Sequence, residues 1–179
     1  MKTKGIAKFE HVSDEQLAKD ISKELLSGND NITNNDIHLY KEMSLPHRAT
    51  KGSAGYDFYA PFTIVLKPGE TIKFPTGVRC RIDDGWMLSL YPRSGLGFKY
   101  RLQLDNTVGI IDSDYYNSSN EGHIFVKLTN DSREGKTVTI EKGTAYMQGI
   151  FIPFGIVEDD NAEGIRNGGF GSTTKTSKK

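Results

Sequence analysis

Apolar and polar residues alternate in short runs along most of the chain. Ile37 and Leu39, Ile64 and Leu66, and Val78, Cys80 and Ile82 each skip one position. Met87, Leu88 and Leu90, then Ile124, Val126 and Leu128, then Val138 and Ile140 continue the pattern. A period of two with runs this short predicts half-buried strands. Turn residues separate them. Lys67-Pro68-Gly69-Glu70 has Pro second and Gly third, as a type II turn requires. Asp83-Asp84-Gly85 and Glu141-Lys142-Gly143 predict two further turns. The expected fold is all-β, a sandwich or a barrel-like jelly roll.

The first segment has a different period. Leu17, Ile21 and Leu25 recur every four residues behind Ser13, a helix-capping residue, with Gln16 three places on. This predicts a short amphipathic helix over 13–26, packed on the main body, followed by a polar loop from Asn29 to Asn35. After Pro153 the alternation fades into an acidic stretch and then a glycine-rich tail. The expected organisation is an N-terminal extension over 1–35, a β core over 36–157 and a C-terminal arm over 158–179.

Charge and composition narrow the function. The chain has 179 residues, with 23 Lys plus Arg against 23 Asp plus Glu. A balanced charge argues against general nucleic-acid binding and leaves room for a small anionic ligand. The single cysteine, Cys80, rules out a disulfide framework and a cysteine zinc cluster. No apolar stretch reaches the ~20 residues of a membrane span, and no signal-peptide core follows Met1, so a cytoplasmic location is expected. His11, His38, His47 and His123 are scattered without metal-ligand spacing and read as surface or structural.

Five stretches carry candidate chemistry. In Ala54-Gly55-Tyr56-Asp57-Phe58 an acid enters a strand between aromatics. In Pro92-Arg93-Ser94-Gly95-Leu96-Gly97 the glycines let backbone approach a ligand, while Arg93 and Ser94 offer donors suited to phosphate. Asn106-Thr107-Val108-Gly109-Ile110-Ile111-Asp112-Ser113-Asp114-Tyr115 places two acids two residues apart after an apolar run, and such an acid can hold and deprotonate a water. In Lys142-Gly143-Thr144-Ala145-Tyr146-Met147-Gln148 an amide side chain lies in an apolar run and needs partners. In Asn167-Gly168-Gly169-Phe170-Gly171-Ser172-Thr173 one aromatic sits among glycines, as in a closing arm.

These stretches, in this order and spacing, resemble the five motifs of the homotrimeric dUTPase family, over about Ile37 to Thr173. The resemblance implies a β jelly roll, or distorted β-barrel, assembled as a homotrimer with sites between subunits. The tail of one chain would close over a site made by two others. It implies dUTP as substrate, Mg²⁺ as cofactor, and dUMP and pyrophosphate as products. Asp112 would hold the attacking water. Tyr115 would lie against the deoxyribose, and Asn106 and Gly109 would read the uracil edge. Arg93, Ser94, Gly95 and Gln148 would hold phosphates, and Asp57 would support the metal through water. Arg166, Phe170, Gly171, Ser172 and Thr173 would form the arm, with Phe170 over the base. The chain departs from the family's common form at Tyr116 to Gly122, a polar insertion expected to lengthen a hairpin tip. Two other readings fit the same residues less well: a deoxycytidine triphosphate deaminase on the same fold, and a nucleotide-gated regulatory protein.

Overall fold

The computed structural model describes residues 5–25, 34–164 and 166. Its first strand, β1 (Ala7–His11), is followed by helix α1 (Asp14–Leu25) and helix α2 (Asn34–Lys41). Then come β2 (Tyr56–Tyr59), β3 (Ile64–Leu66), β4 (Thr71–Pro75), β5 (Val78–Ile82) and β6 (Trp86–Pro92). A short helix α3 (Ser94–Tyr100) leads into β7 (Leu102–Leu104) and β8 (Gly109–Ile111). A 3₁₀ turn over Ser113–Asn117 precedes β9 (Phe125–Asn130), β10 (Val138–Ile140) and β11 (Ala145–Pro153).

The strands pair antiparallel in small sheets. The largest runs β2-β11-β6-β8, beside a three-stranded sheet β4-β9-β7 and the pairs β1-β5 and β10-β3. Inward positions alternate as the pattern predicts: Val78, Cys80 and Ile82 are buried on β5, and Ile64 and Leu66 on β3. The predicted turns form. Gly69, Gly85 and Gly143 adopt positive φ, and Glu70 N–H closes the first turn onto Lys67 O at 3.0 Å. One apolar core joins the sheets around Phe58, Phe74, Leu88, Leu128 and Tyr146. Within it, burial pushes the Cys80 thiol up to about 12, which keeps it protonated and unreactive. No helix among the described residues is long and apolar enough to cross a membrane.

The N-terminal helix forms for the reasons its sequence suggests. Ser13 Oγ accepts from Gln16 N–H at 3.1 Å, and Asp14 and Glu15 lie in the first turn, where acids favour the helix dipole. Leu17 and Ile21 face inward with Val12 and Tyr40 in a second small core. Burying side chains of this size stabilises by about 1.5–3 kcal/mol each. Gln16 does not reach back to the cap. Its amide instead donates to Asp20 at 2.8 Å.

Two expectations are corrected and one strand is new. Ile37 and Leu39 lie on helix α2, whose first residues, 34 and 35, fall in the expected polar loop. Ile37 and Tyr40, one helical turn apart, pack on the second core, so tertiary packing overrides a two-residue alternation too short to tell the periods apart. Strand β1, which continues the β5 ladder from Ala7↔Ile82 to His11↔Val78, was not predicted. The stretch 116–122 is no free hairpin tip. Arg79 stacks over the Tyr116 ring at 3.6 Å and donates to its carbonyl at 3.1 Å, and Tyr116 donates to Glu10 of β1 at 2.5 Å. Glu121 accepts from Ser13 N–H at 2.9 Å and from Ser13 Oγ at 2.6 Å.

The backbone at this clamp is left-handed at two consecutive residues, Glu121 (φ 57) and Gly122 (φ 69). A Cβ on Gly122 would come within 2.7 Å of both Tyr115 O and Tyr116 Cα. Gly122→Ala is therefore expected to cost more than ~1 kcal/mol in a urea melt, since neither the φ nor the space suits a side chain.

The Ser13 hydroxyl, its amide and the Arg79 guanidinium hold the Glu121 carboxyl below its ordinary range. A depressed folded-state value gives stability that is present above the unfolded pKa, about 4.3, and lost as pH falls through the folded value. Thermal melts from pH 6 down to pH 3 should show Glu121→Gln losing less stability on acidification than the native chain.

Candidate active site

Two clusters of the expected site residues form at different ends of the β2-β11-β6-β8 sheet. The first surrounds a cavity of about 210 Å³ lined by Asn106, Gly109, Asp112, Tyr115, Phe125 and Arg166 among others. A second hollow of about 180 Å³ adjoins it, sharing Leu90, Asn106, Gly109 and Phe125. Strand β8 brings Gly109 opposite Leu90 of β6, where a Cβ would meet Leu90 at 3.1 Å, so glycine lets the two strands pack closely. Asn106 sits in the turn before it. There Thr107 takes φ 66, a strained value for a β-branched residue, held by Thr107 N–H to Leu104 O at 2.8 Å. Val108 N–H meets Asn106 O at 2.7 Å in the same turn.

At the end of β8 the chain turns out of extended backbone. Asp112 has φ −81 and ψ 158 and caps the 3₁₀ turn that carries Asp114 and Tyr115. The two acids are therefore not on one strand, as their spacing suggests, yet they still converge. Arg166 bridges them, with Nε donating to Asp114 at 2.7 Å and Nη2 to Asp112, and its guanidinium lies 5.9 Å from the Tyr115 ring centre. Asp112 remains partly open to solvent, with its side chain 42% exposed. The expectation was of an arm closing over other copies' sites. In the single chain, Arg166 lies on its own acid pair, the nearest uncompensated negative charge.

Tyr115 is 6% exposed. Burial pushes its phenol up, so it stays protonated at neutral pH and donates to His123 O at 2.8 Å. Asn120 Nδ2 donates back to the same hydroxyl at 2.8 Å. Sequence reasoning missed His123 and Asn120 in this role. No spacing signals either, because their contacts run through the insertion and the N-terminal helix.

The second cluster gathers Asp57, Arg93 and Gln148. β11 pairs Gln148 with Asp57 of β2 on one side and with Tyr91 of β6 on the other. Arg93, just past β6, forms an ion pair with the nearly buried Asp57. Gln148 is only half-buried, and its amide lies 3.5 Å from Pro92 O. Ser94, Gly95 and Gly97 lie on helix α3 rather than in the expected loop, and a Cβ on either glycine would meet nothing within 4 Å. Arg93 and Ser94 also line an open hollow of about 440 Å³ beside Phe98, which is 93% exposed. Phe170, Gly171, Ser172 and Thr173 lie outside the described residues.

Along β6, Leu88 is paired with Ile111, the neighbour of Asp112, while Arg93 stands five residues further on. At ~3.3 Å per residue that is roughly 17 Å. Arg93 and the acid pair of one chain are thus not within reach of one phosphate group, whereas Gln148, opposite Tyr91, stands three residues from Leu88, roughly 10 Å.

Among the described residues, no three His, Cys, Asp or Glu side chains gather to cage a metal. The oxygen donors present suit a hard cation that keeps its waters and takes inner ligands from phosphate. They do not suit a zinc site.

A β fold with an acid-bearing cavity beside one end of a sheet and arginine, serine and amide donors towards the other has the layout of an enzyme for a small anionic substrate. The dUTPase family model matches residues 41–174. The chain is 45% identical over 134 residues to the deoxyuridine 5'-triphosphate nucleotidohydrolase of Lactococcus lactis, spanning 73% of this chain and 88% of that protein. It is 41% identical to that of Tolumonas auensis over 146 residues, 77% of this chain and 92% of the other. Among solved structures, the dUTPase of Streptococcus mutans is similar with a TM-score of 0.59 and 32% identity, over 84% of this chain and 98% of that one. The dUTPase of phage phi11 of S. aureus shares the fold at TM-score 0.59 and 21% identity, over 89% of this chain and 97% of that one. The chain belongs to the dUTPase family.

Removing Arg93 leaves the Asp57 carboxylate, 6% exposed, without its cation. Arg93→Ala should cost ~2 kcal/mol in stability by denaturant titration, and the double variant with Asp57→Asn should recover part of it, because the stranded charge goes too.

Proposed function

We propose that the chain hydrolyses dUTP to dUMP and pyrophosphate, with Asp112 as general base. The observation that supports this reading best is the convergence of Asp112, Asn106, Gly109 and Tyr115 on one cavity, with Asp112 still open to water. Water held by Asp112 attacks the α-phosphorus. A new P–O bond forms, the bond to the bridging oxygen breaks, and pyrophosphate leaves as Asp112 takes the water's proton. An acid placed this way contributes ~10²–10⁴-fold.

The remaining roles follow from position. Asn106 and the strained turn backbone present fixed donors and acceptors to a uracil edge. Cytosine exchanges an acceptor for a donor there and leaves buried groups unpaired. Tyr115 lies against the deoxyribose and leaves no room for a 2′-hydroxyl. Arg93, Ser94, Gly95 and Gln148 bind phosphate oxygens. Because Arg93 stands roughly 17 Å along β6 from the level of the acid of its own chain, it and the donors beside it serve the acid of a neighbouring copy in a homotrimer. Mg²⁺ held by the phosphates, and by water on Asp57, would screen the substrate's charge when bound. Arg166, now across Asp112 and Asp114, turns to the phosphates when substrate arrives, and the arm through Phe170, Ser172 and Thr173 closes over the base. With base, sugar and phosphates held, most of the catalysis is placement and charge stabilisation.

A pyrophosphate-release assay across the deoxynucleoside triphosphates and UTP, with and without Mg²⁺, tests the substrate. Release from dUTP alone, dependent on Mg²⁺, is the expected result. Release of ammonia from dCTP would point to the deaminase reading instead. Asp112→Asn should bind dUTP and turn over at least ~100-fold slower, and near-normal turnover would refute the assignment. Deleting everything after Gly164 should lower activity far more than melting temperature, since an arm that closes over substrate adds little to the fold.

A further inference from the structure

The N-terminal helix reaches the cavity wall through a buried line of hydrogen bonds. Asp20 of α1 is 6% exposed and His123 is fully buried. His123 Nε2 lies 2.9 Å from Gly77 N–H, which can only donate, so that nitrogen accepts. The ring proton of a neutral imidazole then sits on Nδ1 and is donated to Asp20 Oδ2 at 2.6 Å. Gln16, one turn back on the helix, donates to the same carboxylate oxygen at 2.8 Å. With both nitrogens engaged, the imidazole is fixed in place and in tautomer.

His123 in turn touches two residues of the cavity. Its carbonyl accepts from the Tyr115 hydroxyl at 2.8 Å, and its ring lies 5.0 Å from that of Phe125. The loop that carries His123 is held a second time, by Ser13 on Glu121. The helix that looks like an appendage in sequence therefore meets the same loop at two points, and that loop anchors the side chain read above as the wall against the sugar.

We propose that Asp20 and His123 are positioning residues for the candidate site: the N-terminal helix, through them, holds Tyr115 and Phe125 where the sugar and base must fit. The proposal rests on the dUTP reading for its substrate. It makes the discrimination between deoxyribose and ribose depend on a helix that contacts neither. A loosened Tyr115 tilts away, the space for a 2′-hydroxyl opens, and dUTP loses its well-formed wall.

The test uses the full chain and four variants, with kcat and KM measured on dUTP and UTP and the melting temperature recorded for each. Asp20→Ala should lower kcat/KM for dUTP about tenfold and narrow the dUTP-to-UTP ratio, with the larger change in KM. Asp20→Asn keeps an acceptor for His123 and should restore the ratio. Asn120→Ala leaves the helix docked but removes one of the two anchors of the Tyr115 hydroxyl, and should narrow the ratio to a smaller degree. Val138→Ala, in the β10-β3 pair, serves as a control for lost stability and should leave the ratio alone. A folded Asp20→Ala with native constants would overturn the proposal, and so would a Val138→Ala that shifts the ratio as far for the same loss of melting temperature. An unchanged ratio in Asn120→Ala overturns it whether or not Asp20→Ala folds. The NMR signal of the Tyr115 hydroxyl proton gives a readout independent of turnover: held in the native chain, it should broaden away in Asp20→Ala. If the native chain does not cleave dUTP while this signal behaves as expected, the substrate reading fails and the strut stands. A signal unchanged in Asp20→Ala sinks the strut itself.

Discussion

Strand β6 is hydrogen-bonded to β11 along one edge and to β8 along the other, and the distances within the site follow from those two ladders. The β11 ladder carries Gln148 to Asp57 and sets Arg93 beside them as β6 ends. The β8 ladder carries Gly109 against Leu90 and delivers the chain to Asp112. A β ladder has no freedom to slide by part of a residue, and a slip of one would turn every side chain to the opposite face. The two halves of the chemistry are thereby held rigidly and held apart. In the proposed function another copy of the chain, rather than a closing motion of the sheet, supplies what this separation leaves missing.

The acid pair shows what charge does in the meantime. Two neighbouring carboxylates, Asp112 in the cavity wall and Asp114 on the turn outside it, repel, and one guanidinium settles across both. The same arginine lies near the Tyr115 ring, so the segment up to residue 166 is drawn to the pocket by electrostatics rather than by apolar burial. A phosphate would offer Arg166 the same two-point geometry and more charge. The backbone around the pocket is less forgiving. Thr107 and Glu121 both adopt left-handed φ, a cost of ~1–2 kcal/mol each for residues with a side chain. Each is held by its own hydrogen bonds, Thr107 within its turn and Glu121 to Ser13. Strain held this way keeps the turn before Gly109 and the loop before His123 in one conformation.

Much of the β core was legible because burial writes itself into a period of two. β3, β5, β6, β9 and β10 and the three glycine turns appear where the alternation and the turn residues lie. Helix α1 was legible from its four-residue spacing and its serine cap. Helix α2 was not, because Ile37 and Leu39 supply one alternation only, and the contact that decides the matter, Tyr40 packed with Leu17 and Ile21, is long-range. Strand β1 was illegible for the same reason: its partner β5 lies some seventy residues away, and five residues with a mixed face carry no period of their own. The candidate residues could be picked out one by one from their chemistry and their resemblance to a family. Their grouping into an acid pocket and a donor cluster could not, since spacing along the chain says nothing about which end of a sheet a residue reaches.

By itself the sequence determined the class of fold, the turns, the first helix and the side chains able to do chemistry, because these depend on local backbone preference and on each residue's own functional group. Tertiary structure alone decided that Asp112 and Asp114 converge through a 3₁₀ turn, that Arg93 stands far from them along β6, and that Asp20 reaches Tyr115 through His123. These are contacts between residues distant in sequence. They come into being only when the chain closes its long loops around a shared core, and no local pattern records which partners that closure brings together.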